Sequence, residues 1–253
     1  ASMELLFDKQ RTRELGVQLG INIVPGARLE ACDNAEDLAA RYGLPLVIKP
    51  RRSYWPDKPD RWGKVYIAED KAELANILAK LSDRPRHLVE AYFNGVGVGV
   101  SVLAQNGNIL QAFQHRRLRE GWGGSSSYRI SEAVDPSLYS ACVKIARHTN
   151  FTGVCMFEFR RNEHTKDWVL LETNARFWGS MPLPLSLGVD FPRSLYDLLV
   201  EERHHAPVRY ACGVRSRNIV LDGLNLATSL RRIKVSTWLC DLASYLAQPV
   251  GWL

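Results

Sequence analysis

A chain of 253 residues that is 46% hydrophobic can bury a sizeable core, in one large domain or two smaller ones. Charged residues make up an ordinary 24%, and the formal charge of +6 is mild and scattered, without the basic stripe and interleaved aromatics of a nucleic-acid binder. Such a charge suits an anionic small ligand such as a phosphate ester. No apolar run approaches a membrane span, none precedes a cleavage site, and the five cysteines are odd in number and lack metal-ligand spacing. Free thiols in a reducing, cytoplasmic setting are expected, with neither membrane nor nucleic acid as partner.

In chain order, LLFDKQRTRELGVQLGINIVPG reads as one helix with Asp8 as a cap, Gly20 at its end and Pro25-Gly26 as a turn. NAEDLAARYG is a second helix, capped by Asn34 and stopped by Gly43. LPLVIKP is a short strand, RRSYWPDKPDRWGK (51–64) a loop without period, and VYIA a strand. DKAELANILAKLS follows as a helix with Leu74, Ile77, Leu78 and Leu81 on one face, then HLVEAYF as a strand. A hairpin turns at Asn106-Gly107-Asn108; REGWGGSSSYRIS reads as a flexible loop, and PSLYSACVKIARHTN as a helix with Pro136 in its first turn. A second hairpin, TGVCMFEFRRNEHTKDWVLLETNARF, precedes the helix FPRSLYDLLVEE and a C-terminal extension with helical periodicity. Antiparallel hairpins among separate helices indicate an α+β fold.

The second hairpin carries the chemistry. Alternation places Glu172, Asn174 and Arg176 on one face of its second strand, and Leu171, Thr173, Ala175 and Phe177 on the other. A loop over 163–167 pairs Asn162 with Trp168 and sets Glu158 opposite Glu172. Like charges opposite one another among apolar neighbours destabilise a sheet and invite a divalent cation. Magnesium takes one or two carboxylates plus waters and substrate phosphates; Asn174 adds a neutral oxygen, and Arg176 is placed to meet a phosphate or developing charge. Lys49, at the end of an apolar strand, and Lys9, in a first helical turn, are candidate phosphate contacts, and each has a bland alternative as a surface charge.

In order, DK (8–9), VIKP (47–50), LVEAYF (88–93), MFEF (156–159) and ETNAR (172–176) resemble the ATP-grasp superfamily. GVGVGVSVL (95–103), HRR (115–117), GGSS (123–126) and NARFWGSMPL (174–183) resemble its carbamoyl-phosphate-synthase-like branch of carboxylate–amine ligases. The resemblance implies an ATP-grasp fold in which two α+β subdomains clamp a nucleotide, with a C-terminal helical extension. Residues 1–25 would be a leading helix left from a preceding domain boundary, 26–93 the lid subdomain, 94–196 the subdomain with the metal site and 197–253 the extension. It implies ATP and magnesium (or manganese) as cofactors, with Lys9 and Lys49 on phosphates and Glu90 with the backbone from Ala91 to Phe93 at adenine. Glu158, Glu172 and Asn174 would hold metal, and Arg176 would face an acyl phosphate. The implied activity joins a small carboxylate to an amine or similar nucleophile, releasing ADP and phosphate; a homodimer is an open arrangement. The chain departs from this pattern at Gly97, where many relatives carry a ribose-facing Glu, in the Gly-poor 51–64 loop, and in the few residues before DK, which read as a fragment or a reduced member. These departures favour the alternative of a non-catalytic nucleotide-binding scaffold.

Overall fold

The computed structural model describes residues 2–52, 63–120, 126–203 and 206–229, with 235–236, 238–239, 242–243 and 251–252 beyond them. Most of the predicted 51–64 loop, residues 121–125 of the Gly-rich loop, Cys240 and most of the last predicted helix lie outside the described residues.

The opening segment is two helices, α1 (Ser2–Phe7) and α2 (Lys9–Gln18), where one was expected. Asp8 is the break: it is extended, and its carboxylate accepts from Gln10 N (3.1 Å) and Arg11 N (3.4 Å). The buried carboxylate also accepts from Arg52 Nε at 2.9 Å. Capping satisfies amide groups that a helix start leaves without partners. Here it also fixes Lys9 as the first residue of α2.

Four antiparallel strands form the smaller sheet, in the order β1-β4-β2-β3: β1 (Gly26–Arg28), β2 (Leu46–Pro50), β3 (Tyr66–Ala68) and β4 (His87–Ala91). Helices α3 (Ala35–Tyr42) and α4 (Lys71–Lys80) cover it and bury Leu38, Leu74 and Leu78 with Ile48 and Val89. β1 replaces the expected Pro25-Gly26 turn. A Cβ at Gly26 would collide with Val89 O, so glycine is there for close strand approach.

The larger sheet has seven strands in the order β11-β10-β7-β6-β5-β8-β9. They are β5 (Val96–Gln105), β6 (Asn108–Glu120), β7 (Ser126–Glu132), β8 (Gly153–Arg161), β9 (Trp168–Asn174), β10 (Arg215–Arg217) and β11 (Gly251–Trp252). The β5–β6 hairpin turns on Asn106 (φ 47°) and Gly107 (φ 78°), two left-handed residues suited to a two-residue turn. Helix α5 (Pro136–His148) and the leading helices cover one face, where Val98, Val100 and Val102 join Leu6, Leu15, Ile145, Phe157 and Phe159. After β9 come α6 (Pro182–Ser186), α7 (Phe191–Leu199) and, past β10, α8 (Ile219–Ser229). Among the described residues no helix is long and apolar enough to cross a membrane.

Strand β7 was expected to be loop because of its serines. Those serines are buried against polar partners far along the chain: Ser131 Oγ donates to Ala211 O (2.8 Å) and Ser127 Oγ to Asp222 Oδ1 (2.7 Å). The C-terminal segment thereby docks onto the larger sheet.

Candidate active site

The opposite face of the larger sheet is the floor of a cavity of about 1130 Å³ that also reaches the smaller sheet. That is just above the roughly 300–1,000 Å³ of an ordinary small-molecule pocket. A smaller depression of about 640 Å³ beside Gln10, Glu14, Arg28 and Tyr42 lies away from the paired carboxylates.

Strand register sets the floor. His115, Gly99, Glu158 and Glu172 stand side by side across β6, β5, β8 and β9. Because β5 alternates valine with Gly97 and Gly99, it is apolar on the core face and bare on the cavity face. Side chains of β6 lie across it: a Cβ at Gly99 would strike the His115 ring, and one at Gly97 would strike Arg117 and Glu120. Arg117 uses this space to reach β8, where its Nη2 forms an ion pair with Glu158 Oε2.

Glu158 is opposite Glu172, as expected, but by another register. Trp168 pairs with Arg161 rather than Asn162, and a bulge at Leu171 restores the alignment. The bulge also reverses the face expected for Leu171, which lines the cavity while Leu170 packs in the core. Its carbonyl accepts from Lys49 Nζ at 3.1 Å.

The carboxylates are held by cations and an amide. Lys9 Nζ is 3.1 Å from Glu172 Oε2, and Asn174 Nδ2 donates to Oε1 of both Glu158 (3.0 Å) and Glu172 (3.1 Å). One donor thus reaches both acids, so a single cation between them suits this arrangement. Asn174 was expected to offer its oxygen there; that oxygen accepts from Arg176 Nη2 at 3.2 Å, and the amide must turn over to ligate metal. Arg176 lies beyond the end of β9, exposed, with Nη1 donating to Phe177 O at 2.9 Å. Lys49 is buried and its Nζ pairs with Glu90 Oε2 at 2.7 Å; Arg13 stands 3.4 Å from the other oxygen of that acid. In the expected adenine segment, the N–H of Ala91 is taken by Pro25 O (2.8 Å) and that of Tyr92 by Pro45 O (3.0 Å), while Phe93 lines the cavity.

Burial would raise the pKa of Glu172, but Lys9 and then Lys49 outweigh it and hold the acid at about 2. Burial raises Glu158 above its ordinary range, with the Glu172 charge adding to the effect and Arg117 opposing it. The pair is therefore split, with Glu172 the firmly ionised member. Burial, followed by the charges of Arg117 and Arg129, depresses His115 to about 3, so the imidazole is neutral at pH 7.

That depression has a measurable consequence. The unfolded chain takes up a proton near pH 6.5 that the folded chain refuses until about 3, so stability present above 6.5 is lost as pH falls through this window. The loss amounts to about 2 kcal/mol by pH 5. His115→Asn should flatten the melting-temperature profile between pH 7 and 5; a profile parallel to that of the unaltered protein would refute the assignment.

Several residues here escaped the sequence reading. The HRR segment gives no role by its spacing alone; in the sheet His115 and Arg117 share the cavity face with the glycines of β5 and lie over them. Glu120 stands over Gly97, accepting from Gly97 N (3.1 Å) and Arg160 Nη2 (2.7 Å), so a carboxylate faces the cavity at the position where residue 97 lacks one. The far wall is α8, presenting Leu221, Asn225 and Thr228 at helical spacing, with Asn218 just before its first turn.

Two antiparallel α+β units around a cavity with paired acids and converging lysines and arginines define the ATP-grasp class. The chain belongs to that family: residues 83–220 match the family described as ATP-grasp in the biosynthetic pathway with Ter operon. It is 26% identical over 193 residues to the carbamoyl phosphate synthase large chain of Xylella fastidiosa, covering 72% of this chain and 18% of that one. Its fold is similar to N5-carboxyaminoimidazole synthetase from Staphylococcus aureus complexed with ADP, with TM-score 0.66, 16% identity, and coverage of 83% of this chain and 55% of that one. It is also similar to the biotin carboxylase domain of Hydrogenobacter thermophilus 2-oxoglutarate carboxylase in complex with MgADP, ADP and bicarbonate, with TM-score 0.65, 20% identity and coverage of 84% and 49%. The chain thus spans about a fifth of the curated relative and about half of each solved chain.

Proposed function

We propose that the chain is an ATP- and magnesium-dependent ligase that joins a small carboxylate to an amine or similar nucleophile through an acyl phosphate, releasing ADP and phosphate. The observation that carries this reading is the face-to-face pair of Glu158 and Glu172, bridged by Asn174 and ringed by Lys9, Arg117 and Arg176. A pure scaffold has little use for such clustered carboxylates. Glu158, Glu172 and a turned Asn174 would hold the ion, which when bound neutralises phosphate oxygens and orients the phosphate chain. Lys9 would exchange Glu172 for phosphate, and Arg176, the exposed cation of the set, would swing from Phe177 O to the transferring group. Phosphoryl transfer rests mostly on such positioning and charge stabilisation. Lys49 would likewise turn from Glu90 to phosphate, while Glu90 and the Phe93 end of that segment would meet the base. The four segments 1–25, 26–93, 94–196 and 197–253 would act as leading helix, lid, metal-bearing unit and extension.

The test is product analysis with Mg-ATP and a panel of small carboxylates and amines. ADP and phosphate formed only with a carboxylate support the reading; AMP and pyrophosphate contradict it. The same ion pairs favour a second reading, because Lys9–Glu172 and Arg117–Glu158 satisfy one another without ligand. A nucleotide-binding scaffold would show a Mg-ATP melting shift and no ADP release with any acid.

A further inference from the structure

Arg129 of β7 is 5% exposed and lines the cavity. The arginines around it have acidic partners: Arg117 has Glu158, and Arg119 and Arg217 share Asp222. Arg129 pairs with no carboxylate among the described residues. Its Nη1 donates to Gly179 O at 3.2 Å, while its Nε is enclosed with no partner among the described residues. It also sits directly opposite Arg117 in the β6–β7 ladder, a like-charge pair in a place that destabilises a sheet. A buried guanidinium is costly unless an anion and further hydrogen bonds compensate it. Burial, with the charge of Arg117 added, lowers its pKa to about 10, still leaving a full charge at pH 7.

The wall beside it is also built for a ligand. Asp222 of α8 is fully buried, accepting from Arg119 Nη1 at 2.6 Å and Ser127 Oγ at 2.7 Å, which pins α8 against β6 and β7. The pinned face turns Asn225 toward the cavity, and its Nδ2 is an enclosed donor with no partner among the described residues. β7 stands four strand positions from β9, about 19 Å at ~4.8 Å per step, and the Arg129 head group reaches back over the floor to Gly179, so it borders the carboxylate pair from the side of α8.

We propose that the end of the cavity between Arg129 and the α8 face is the acceptor subsite, and that it takes a second oxyanion, carboxylate or phosphate, carried by an acceptor in addition to its reacting carboxylate. This rests on the ligase reading above for the word acceptor; the anion subsite itself rests on Arg129 and α8. The acceptor class is therefore a diacid, or an acid bearing a phosphate-like group, rather than a simple monocarboxylate.

Succinate, glutarate, 3-phosphonopropionate and the monomethyl esters of the two diacids would be titrated by thermal melting, with and without Mg-ATP. At least one dianion should bind tenfold or more tightly than the esters, and the phosphonate arm separates a carboxylate preference from a phosphate one. Arg129→Met should reduce the preferred dianion to ester-level binding, Arg129→Lys should retain part of the preference, and both should keep the Mg-ATP shift. Without ligands, Arg129→Met should melt at or above the unaltered protein, since an uncompensated charge is removed; a merely structural arginine would give a lower melt. Equal binding of diacids and esters, an unchanged preference in Arg129→Met, or loss of the Mg-ATP shift in that variant would each overturn the proposal. An Arg129-dependent dianion preference in a protein that shows no response to Mg-ATP would sink the ligase reading and leave the anion subsite standing.

Discussion

Arg176→Ala should lower turnover by about 10²–10³-fold while the Mg-ATP melting shift stays close to that of the unaltered protein. The magnitude is that of removing one donor aimed at charge that develops during the reaction. The split between rate and binding follows from the position of the side chain. Arg176 is exposed, beyond the last ladder pair of β9, and its own contacts are Phe177 O and Asn174 Oδ1 rather than the core. Removing it costs the fold little. Lys9 and the carboxylate pair, which would grip the nucleotide and its ion, keep their places. ADP release and melting shifts on the same preparation check this. A variant that fails to bind Mg-ATP would move Arg176 from transition-state stabilisation to ground-state binding.

Glu172→Ala should abolish the magnesium-dependent part of nucleotide binding, measured as the difference between melting shifts with ATP alone and with Mg-ATP. It should also destabilise the protein without ligand. Two acids facing each other suggest the opposite, since removing one would relieve repulsion. The ion pairs reverse the sign. Glu172 is the acid that neutralises Lys9 at 3.1 Å, and Lys9 and Lys49 are what hold its pKa down to about 2. Truncation removes the ion pair that Lys9 makes with Glu172 in a partly buried site, at a cost on the order of 2 kcal/mol. Glu172→Gln, which preserves shape and a hydrogen bond to Asn174, should lose the metal effect with a smaller stability change. An undiminished magnesium effect in both variants would remove Glu172 from the metal site.

The sequence by itself determined most of the elements and the central pair of acids. Valine–glycine alternation, Asn106-Gly107, Asn34 and Gly43 as helix ends, and the apolar spacing around Leu74 and Leu78 are local signals, read from neighbours a few residues apart. Glu158 and Glu172 were legible for the same reason, since one hairpin joins them, although a Leu171 bulge and a one-residue register shift had to cancel for the alignment to hold. The tertiary structure decided what no local window contains. Gly26 in a strand answers to the backbone of Val89, the serines of β7 to Ala211 and Asp222, and Arg117 to a carboxylate on a strand two positions away. The amide of Asn174 faces the acids because Arg176 holds its oxygen, and Lys49 is drawn to Glu90 because strand pairing brings β2 beside β4. The isolation of Arg129 is likewise a property of packing, because a sequence names charges but only burial and pairing show which lack a partner.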